Sequence, residues 1–368
     1  MKISRIAQLG AVAAVAALSL TACAANETTP GAEPTEGGSE STLAGELVGA
    51  GSSAQEVAVQ AWSAGFQTAN PDVTVSYDPA GSGAGRESFQ AGAVAFAGSD
   101  RAFTAEEIEA GPFGACVEGT GIIEIPSYIS PIAVIFNVEG IETLNLDAAT
   151  IASIFAGDIT NWNDEAIAAT NEGVELPDLE ITPVHRADDS GTTENFTDYL
   201  YQAAPEAWEW EADGVWPIES GEAAQGTSGV VAAVEGGNGT VGYADASRAE
   251  GFGTVAVQVG EEFVSFTPEA AAAIVDASPR EEGRTDGDLA IALDRTPDSA
   301  AYPVVLVSYM LACEEYADPA SAALAKGFLE YVISPEGQDA AAEAAGSAPI
   351  SDTQRENMQA ALDLIVTE

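Results

Sequence analysis

The sequence predicts an α/β protein with two lobes that are joined by two extended crossing segments. The chain has 368 residues, which is too long for one small core and suits two domains of ordinary size. Strand-like and helix-like patterns alternate from residue 46 onward, as they do in α/β folds. Two long extended apolar runs, residues 122–138 and 302–311, lie far apart in the sequence, as two parallel connections between lobes would.

The elements of the first lobe can be read in order. A helix follows the glycine-rich residues after Val48, because Trp62 and Phe66 lie four positions apart on one apolar face. Residues 73–77 alternate as a strand, and residues 94–97 form a second, short apolar strand. Thr104 with Glu107 three residues later is a capping box that begins another helix. The positions of the two apolar runs then predict a first lobe over 46–126 and 304–368, and a second lobe over 127–303.

The first 23 residues are typical of an export signal rather than of a folded domain. Lys2 and Arg5 give a charged start, and residues 6–20 are mostly Ala, Val and Leu. This apolar stretch is too short and too rich in small residues for a membrane span. Residues 20–23 (LTAC) match a bacterial lipobox, in which the cysteine is lipidated. The alternative is an ordinary signal peptide with a chance cysteine.

Residues 24–45 have the composition of a flexible tether. They contain no Lys, Arg or aromatic residue and are rich in Gly, Pro, Ser, Thr and Glu. We therefore predict a signal peptide over 1–22 and a lipidated (palmitate-bearing) Cys23 with its tether over 23–45. The protein is expected to act outside the cytoplasmic membrane and to be attached to the cell membrane by this lipid.

The charge of the chain excludes several classes of partner. It carries 59 acidic and 11 basic residues, a formal net charge of −48. Removal of the leader leaves Lys326 as its one lysine, and nucleic-acid binding depends on clustered Lys and Arg. The single histidine excludes a multi-histidine metal centre. Acidic pairs such as 188–189 and 314–315 lack the spacing of a calcium loop. We expect no nucleic acid, metal or cofactor, and a monomer.

Two cysteines remain once Cys23 is lipidated. Cys116 and Cys313 are an even count in an oxidising compartment, which favours a disulfide bond. In the chain-entropy model, a bond closing so long a loop stabilises the fold by roughly 4–5 kcal/mol. Two buried free thiols are the alternative, and the sequence alone does not decide between them.

Three strand-to-helix junctions combine glycine with hydroxyl residues. They are residues 51–53 (GSS), 81–83 (GSG) and 190–193 (SGTT). A helix start offers unpaired backbone N–H groups and the positive end of the helix dipole, and glycine lets an oxyanion approach closely. One such junction is consistent with a plain helix cap. Three together, with Arg186 just before the third and Asp188 able to hold that arginine in place, favour an anion site.

Two other patterns point elsewhere and are weaker. Residues 237–242 (GNGTVG) satisfy a dinucleotide-binding pattern literally, but they follow a helical stretch and precede a strand, which is the reverse of the required order. His185 lies near Ser190, a combination found in hydrolases. No serine occupies a Gly-x-Ser-x-Gly turn, however, and a lone histidine is more often structural.

An ordered set of motifs extends over nearly the whole mature chain, from about residue 47 to the C-terminus. The motifs are residues 49–53 (GAGSS), 81–85 (GSGAG), 98–100 (GSD), 154–162 (IFAGDITNW), 186–193 (RADDSGTT), 239–243 (GTVGY) and 334–338 (SPEGQ). Each is modest alone, and the ordered set is specific. With this set the sequence resembles a known family, the phosphate-binding subunit of the bacterial high-affinity phosphate ABC transporter. The resemblance implies the type II periplasmic-binding-protein-like fold, with two lobes and two crossing segments.

The resemblance also implies a set of phosphate ligands. Helix-start residues donate hydrogen bonds, Arg186 is the charged donor, and Asp100 is the single acceptor, which receives the proton that phosphate carries and sulfate lacks. Asp188 supports the arginine. The complete implied set is Ser53, Ala54, Ser82, Asp100, Arg186, Ser190, Gly191 and Thr192. The first loop reads SSAQ where many members have Ala-Thr-Phe-Pro, so its detail departs from the family. For Asp100, a simple cap on the turn after its strand is the alternative.

What the resemblance implies is an extracytoplasmic receptor that binds inorganic phosphate between its lobes and delivers it to an ABC permease, without catalysis. Two other classes remain open. A phosphatase on the same lobes would hydrolyse phosphate esters, which an assay with a chromogenic ester would detect. A sensing or adhesion lipoprotein would keep the fold without transport, and permease and ATPase genes beside its own gene would argue against it.

Overall fold

The protein is described here from a computed structural model that covers residues 43–297 and 301–367. The predicted signal peptide, Cys23 and nearly all of the predicted tether lie outside the described residues. The strands are β1 (Gly45–Gly51), β2 (Val73–Asp78), β3 (Phe96–Ser99), β4 (Ile122–Asn137), β5 (Thr143–Leu146), β6 (Thr182–Arg186), β7 (Glu222–Ala224), β8 (Thr240–Asp245), β9 (Gly253–Val259), β10 (Glu262–Val264) and β11 (Val305–Cys313).

Helices alternate with these strands along most of the chain. They are α1 (Glu56–Ala69), α2 (Ser82–Gln90), α3 (Ala105–Ala110), α4 (Ala148–Ala156), α5 (Glu165–Thr170), α6 (Gly191–Ala203), α7 (Gly226–Gly236), α8 (Pro268–Ala277), α9 (Pro319–Ile333), α10 (Pro335–Ala345) and α11 (Asp352–Leu362), with a 3₁₀ turn at Ala246–Arg248. The capping box at Thr104 and Glu107 begins α3, as predicted. None of the helices in the described part of the chain is long and apolar enough to cross a membrane.

The sheet has two halves that meet in one long strand. On one side the order is β2-β1-β3-β11-β4, and on the other it is β4-β8-β6-β7, with β9 also paired to β4. β4 pairs with β11 from Ile122 to Pro131 and with β8 from Ile132 to Asn137. Because its two ends belong to different halves, β4 connects two lobes, and the predicted two-lobe α/β fold class is confirmed.

The parallel strands determine where a site can form. β1 runs parallel to β2 and β3, and β6 runs parallel to β7 and β8. In open α/β sheets, ligands bind beyond the carboxyl ends of such strands. Those ends are Gly51 in β1, Ser99 in β3 and Arg186 in β6, so the polar junctions of the sequence lie at the expected edge.

The two predicted crossing runs are both strands, buried along almost their whole length. β4 has only its last residue partly exposed, and every residue of β11 is buried. The second of the two predicted short strands lies slightly later in the chain than expected. β3 begins at Phe96 rather than at residue 94, because its ladder with β1 starts at the Gly49–Phe96 pair.

Two further contacts hold the described chain together. A disulfide bond joins Cys116 to Cys313 at the end of β11, with the two Cα atoms 5.3 Å apart. The loop over residues 279–297 lies against the start of β4, where the Glu124 N–H donates to the Gly287 carbonyl and the Leu289 N–H donates to the Glu124 carbonyl. This loop lies within the range 127–303 predicted for the second lobe, and it bonds a part of β4 that lies in the range 46–126 predicted for the first.

Candidate functional site

The first junction, between β1 and α1, is a buried turn built by serines. The Ser52 hydroxyl accepts hydrogen bonds from the N–H groups of Ala54 (3.1 Å) and Gln55 (3.4 Å), in the turn that precedes α1. Ser52 therefore stabilises the turn, and Ser53 makes a different contact. The Ser53 hydroxyl lies 3.0 Å from Thr227 Oγ1 and accepts from the Thr227 N–H at 3.1 Å.

The second junction, at the start of α2, packs closely against the end of β3. The Ser82 hydroxyl accepts a hydrogen bond from the Asp100 N–H at 3.1 Å. The preceding Gly81 has a φ of 111°, and a Cβ atom there would lie 2.6 Å from Asp188 Oδ2. Glycine is therefore required at this position both by backbone conformation and by the close approach of the second lobe.

The third junction joins β6 to α6 and carries the predicted charged donor. Arg186 Nε donates to Asp188 Oδ1 at 2.8 Å, and Arg186 Nη2 also bonds the Asp188 carboxylate. Asp188 Oδ1 accepts a further bond from the Gly226 N–H at 3.0 Å. Asp188 thus bonds Arg186 through both carboxylate oxygens. Among the described residues no hydrogen bond partner is found for Arg186 Nη1, which leaves this nitrogen available to an anion.

The helix start that follows Arg186 offers hydroxyl and backbone donors. Ser190 is the cap of α6, since its hydroxyl accepts from the Thr193 N–H at 3.2 Å. A Cβ atom at Gly191 would lie 2.8 Å from Ser82 Oγ and 2.7 Å from the Asp100 Cβ. Only glycine therefore lets this helix start approach the second junction so closely. Thr192 Oγ1 then donates to Asp100 Oδ2 at 3.0 Å.

Asp100, just after β3, contacts residues of α6 and of β11. Its side chain is buried, and it accepts hydrogen bonds on both carboxylate oxygens, from Thr192 and from Ser308 of β11. Asn195 of α6 donates to its backbone carbonyl at 2.6 Å. The structure thus brings all three sequence-predicted junctions into one buried cluster across the cleft.

The electrostatics of the cluster differ between its carboxylates. Burial raises the pKa of Asp188, but the hydrogen bonds and charge of Arg186 outweigh burial and lower it overall. Glu194, further along α6, shows the opposite balance. Burial raises its pKa to about 7 even though Arg101 Nε lies 2.8 Å away. Arg101 also bonds Glu107, so its charge is divided between the two glutamates.

Sequence reasoning missed several residues of this cluster. Thr227 begins α7, and residues 226–228 (GTS) carry the same glycine and hydroxyl pattern as the three junctions that were found. Arg86 is a second buried cation, bonded to Ser99 Oγ at 2.9 Å and lying 3.6 Å from Asp189, so Arg186 does not stand alone as a buried positive group. Burial lowers the pKa of Arg86. Ser308 lies inside an apolar strand, where nothing local indicates a polar contact.

His185 and Ser190, the pair that a hydrolase would use, both make other contacts. The His185 ring stacks on Trp216, with ring centroids 4.8 Å apart, and its Nδ1 donates to the Arg186 carbonyl. The Ser190 hydroxyl meanwhile caps α6. No group of three or more metal-ligating side chains is found in the part of the chain that the structure describes.

Comparison with known proteins places this chain in a family. A family model described as "PBP superfamily domain" matches residues 36–336. The chain is 32% identical to the phosphate-binding protein PstS2 of Mycobacterium bovis, over 99% of this chain and 100% of that protein. It is 33% identical to PstS 3 of Mycobacterium leprae, over 87% and 86%. A solved phosphate-binding protein from Stenotrophomonas maltophilia shares the fold, with a TM-score of 0.66, 21% identity and coverage of 86% and 93%. The chain therefore belongs to the PBP superfamily, among the PstS phosphate-binding proteins.

Proposed function

We propose that this protein is an extracytoplasmic solute-binding protein that captures inorganic phosphate between its lobes and delivers it to an ABC permease. One observation carries the proposal. The second and third helix starts both bond Asp100, which has a buried carboxylate. Asp188, which bonds Arg186, also accepts from Gly226, and the next residue, Thr227, bonds Ser53 of the first junction. Helix starts and arginine are common oxyanion ligands, and a carboxylate acceptor suits an anion that still carries a proton.

In the proposed complex, each member of the cluster has a separate role. The backbone and hydroxyl donors of the three helix starts bond phosphate oxygens, and Arg186 adds its charge. Asp100 accepts the proton of the phosphate. Asp188 stays bonded to Arg186 and does not contact the anion. The proposed ligands are Ser53, Ala54, Ser82, Asp100, Arg186, Ser190, Gly191 and Thr192.

Binding is proposed to close the two lobes over the anion. We place the lobes at residues 46–126 with 304–368 and at 127–303, with the loop over 279–297 moving with the first lobe because of its contacts to β4. Three hydrogen bonds or ion pairs join the two proposed lobes: Ser53–Thr227, Asp100–Thr192 and Arg101–Glu194. Such contacts form only when the lobes are closed, and crossing strands at a hinge permit opening.

We further propose that Cys23 carries the lipid that attaches the mature protein to the membrane, and that the protein is a monomer without catalytic activity. Replacing Cys23 by Ser should release the protein into the medium. Retention of the Cys23→Ser protein in the membrane fraction would contradict lipid attachment at this residue. Size-exclusion chromatography with light scattering checks the monomer.

Calorimetric titration of the mature protein, freed of bound ligand, tests the function. We expect about one phosphate per chain and no binding of millimolar sulfate, because sulfate has no proton for Asp100. Equal binding of both anions, or none of phosphate, would contradict the proposal. A chromogenic phosphate ester separates the rival class, since its hydrolysis would indicate a phosphatase.

A further inference from the structure

Among the described residues, Ser308 makes the shortest hydrogen bond to the carboxylate of Asp100. It lies in the middle of β11, fully buried, and its Oγ is 2.6 Å from Asp100 Oδ1. An ionised carboxylate only accepts hydrogen bonds, so the hydroxyl of Ser308 is the donor. Bonds of this kind to a charged acceptor are shorter and stronger than bonds between neutral groups.

Two other residues that bond Asp100, Thr192 and Ser82, also have a role in the proposed binding of phosphate. Thr192 donates to Oδ2 at 3.0 Å, and Ser82 accepts from the Asp100 N–H at 3.1 Å. Both belong to the proposed phosphate ligands, so their hydroxyl groups are shared with the anion. Ser308 is outside that set. Its bond to Oδ1 is therefore the contact that can orient the carboxylate whether or not an anion is present.

The strand pairing around Ser308 is irregular. The ladder between β11 and β4 shifts register between Ser308 and Tyr309, and Ser127 of β4 has no partner in that ladder. Bulges of this type occur next to functional sites, where they redirect a side chain. The shift falls at the residue that contacts Asp100.

We propose that Ser308 is a positioning residue for anion selectivity, which rests on the proposed function of Asp100 as the phosphate acceptor. With Oδ1 held by Ser308, the carboxylate keeps a fixed direction toward the anion. Phosphate meets it with a proton, and sulfate meets it with a bare oxygen. Without Ser308 the carboxylate can turn, which weakens the bond to phosphate and relieves the repulsion of sulfate.

The test is the ratio of the sulfate and phosphate dissociation constants, measured by calorimetry for Ser308→Ala and the wild type. We expect phosphate affinity to fall by about tenfold to a hundredfold, the range associated with one hydrogen bond to a buried charged group. Sulfate affinity should stay unchanged or rise, so the sulfate dissociation constant divided by the phosphate dissociation constant should fall. Ser308→Thr keeps the hydroxyl and should keep the wild-type ratio.

Ser127→Ala is the matched control. It removes a buried hydroxyl that has no hydrogen bond partner in the described chain, from the neighbouring crossing strand. We expect it to leave both constants unchanged. If the melting curve of Ser308→Ala shows that it does not fold, Ser308→Cys replaces it. The Cys side chain fills the space but is only a weak hydrogen-bond donor, so its sulfate and phosphate dissociation constants can be compared with those of the wild type in the same way.

Three results would overturn the proposal for Ser308. An unchanged ratio with unchanged phosphate affinity would make Ser308 an ordinary core residue. Equal weakening of both anions would give it only a structural role. Failure of the wild type to prefer phosphate would instead refute the function of the site, and a selectivity change in Asp100→Asn without one in Ser308→Ala would refute Ser308 alone.

Discussion

Asp188 and Asp100 are both carboxylates of the proposed site, one on each proposed lobe, and their surroundings differ. Asp188 receives two hydrogen bonds from Arg186 and one from the Gly226 N–H. Asp100 receives only the hydroxyls of Ser308 and Thr192, with no arginine bonded to it among the described residues. A charge matched by a cation is a structural support, and a charge held by neutral donors remains able to accept from a ligand.

The comparison separates charge from selectivity. In the proposed complex, the second lobe supplies attraction through Arg186, which would act on any oxyanion. The first lobe would supply discrimination through Asp100, which would distinguish a protonated oxyanion from a bare one. Changes on the two sides should therefore have different signatures in binding experiments.

Arg186→Ala should have the largest effect on affinity. It removes the charged donor and leaves the partly buried Asp188 carboxylate with the Gly226 N–H as its remaining partner among the described residues. We expect a loss of roughly 2–5 kcal/mol in phosphate binding, as for truncating one partner of a buried charge pair. Calorimetry measures this loss of phosphate affinity. Arg186→Lys is the control, because it keeps the positive charge but lacks the planar guanidinium that can bond two oxygens at once. Binding by Arg186→Ala within about threefold of wild type would remove Arg186 from the site.

Asp100→Asn should weaken phosphate less and change selectivity more. The amide has nearly the shape of the carboxylate but can turn an NH₂ group toward a sulfate oxygen. Sites that leave a buried polar group unpaired can discriminate by roughly 10⁴–10⁵, and this variant should lose much of that factor. Titration with both anions gives the answer. If the Asp100→Asn protein still does not bind millimolar sulfate and binds phosphate with unchanged affinity, Asp100 does not recognise the phosphate proton.

Thr227→Val should have a smaller effect, because it breaks one contact across the cleft while keeping the backbone N–H bond to Ser53. One neutral hydrogen bond contributes about 0.5–1.5 kcal/mol, so affinity should fall by a corresponding few-fold. The control is Thr240→Val, which lies just beyond the other end of α7 and away from the site. The Thr240 hydroxyl donates to the Val234 carbonyl at 2.8 Å. That control should alter stability but not affinity. Equal effects of the two variants on binding would contradict a closing role for Thr227.

Reduction of the Cys116–Cys313 disulfide should have the smallest effect on binding. The bond closes a sequence separation of 197 residues, and both cysteines belong to the chain segments that we place in the first lobe. Its loss should lower the melting temperature, because the unfolded chain is no longer constrained. Phosphate affinity should be nearly unchanged, since neither side of the cleft is altered. A large drop in affinity of the folded, reduced protein would mean that the bond supports the site directly.

How far the sequence predicts this site depends on whether each residue carries a local signal. Ser53, Ser82 and Thr192 follow glycines at helix starts, so their role is visible in a few neighbouring letters. Thr227 has the same signal, weakened by its position among small residues. Ser308 has none, because its partner lies 208 positions away and only the pairing of β11 with β4 and β3 brings them together. Local chemistry is thus readable from sequence, whereas long-range partners require the fold.

A crystal structure of the mature protein with phosphate tests the central claim most directly. The account predicts one phosphate in contact with both sides of the cleft, with Arg186 Nη1 bonded to one oxygen. It also predicts an oxygen of the anion within about 2.5–2.7 Å of the Asp100 carboxylate, the length of a charge-assisted O–H···O bond. A phosphate bound through the helix starts and Arg186 with Asp100 turned away would contradict the division between attraction and selectivity.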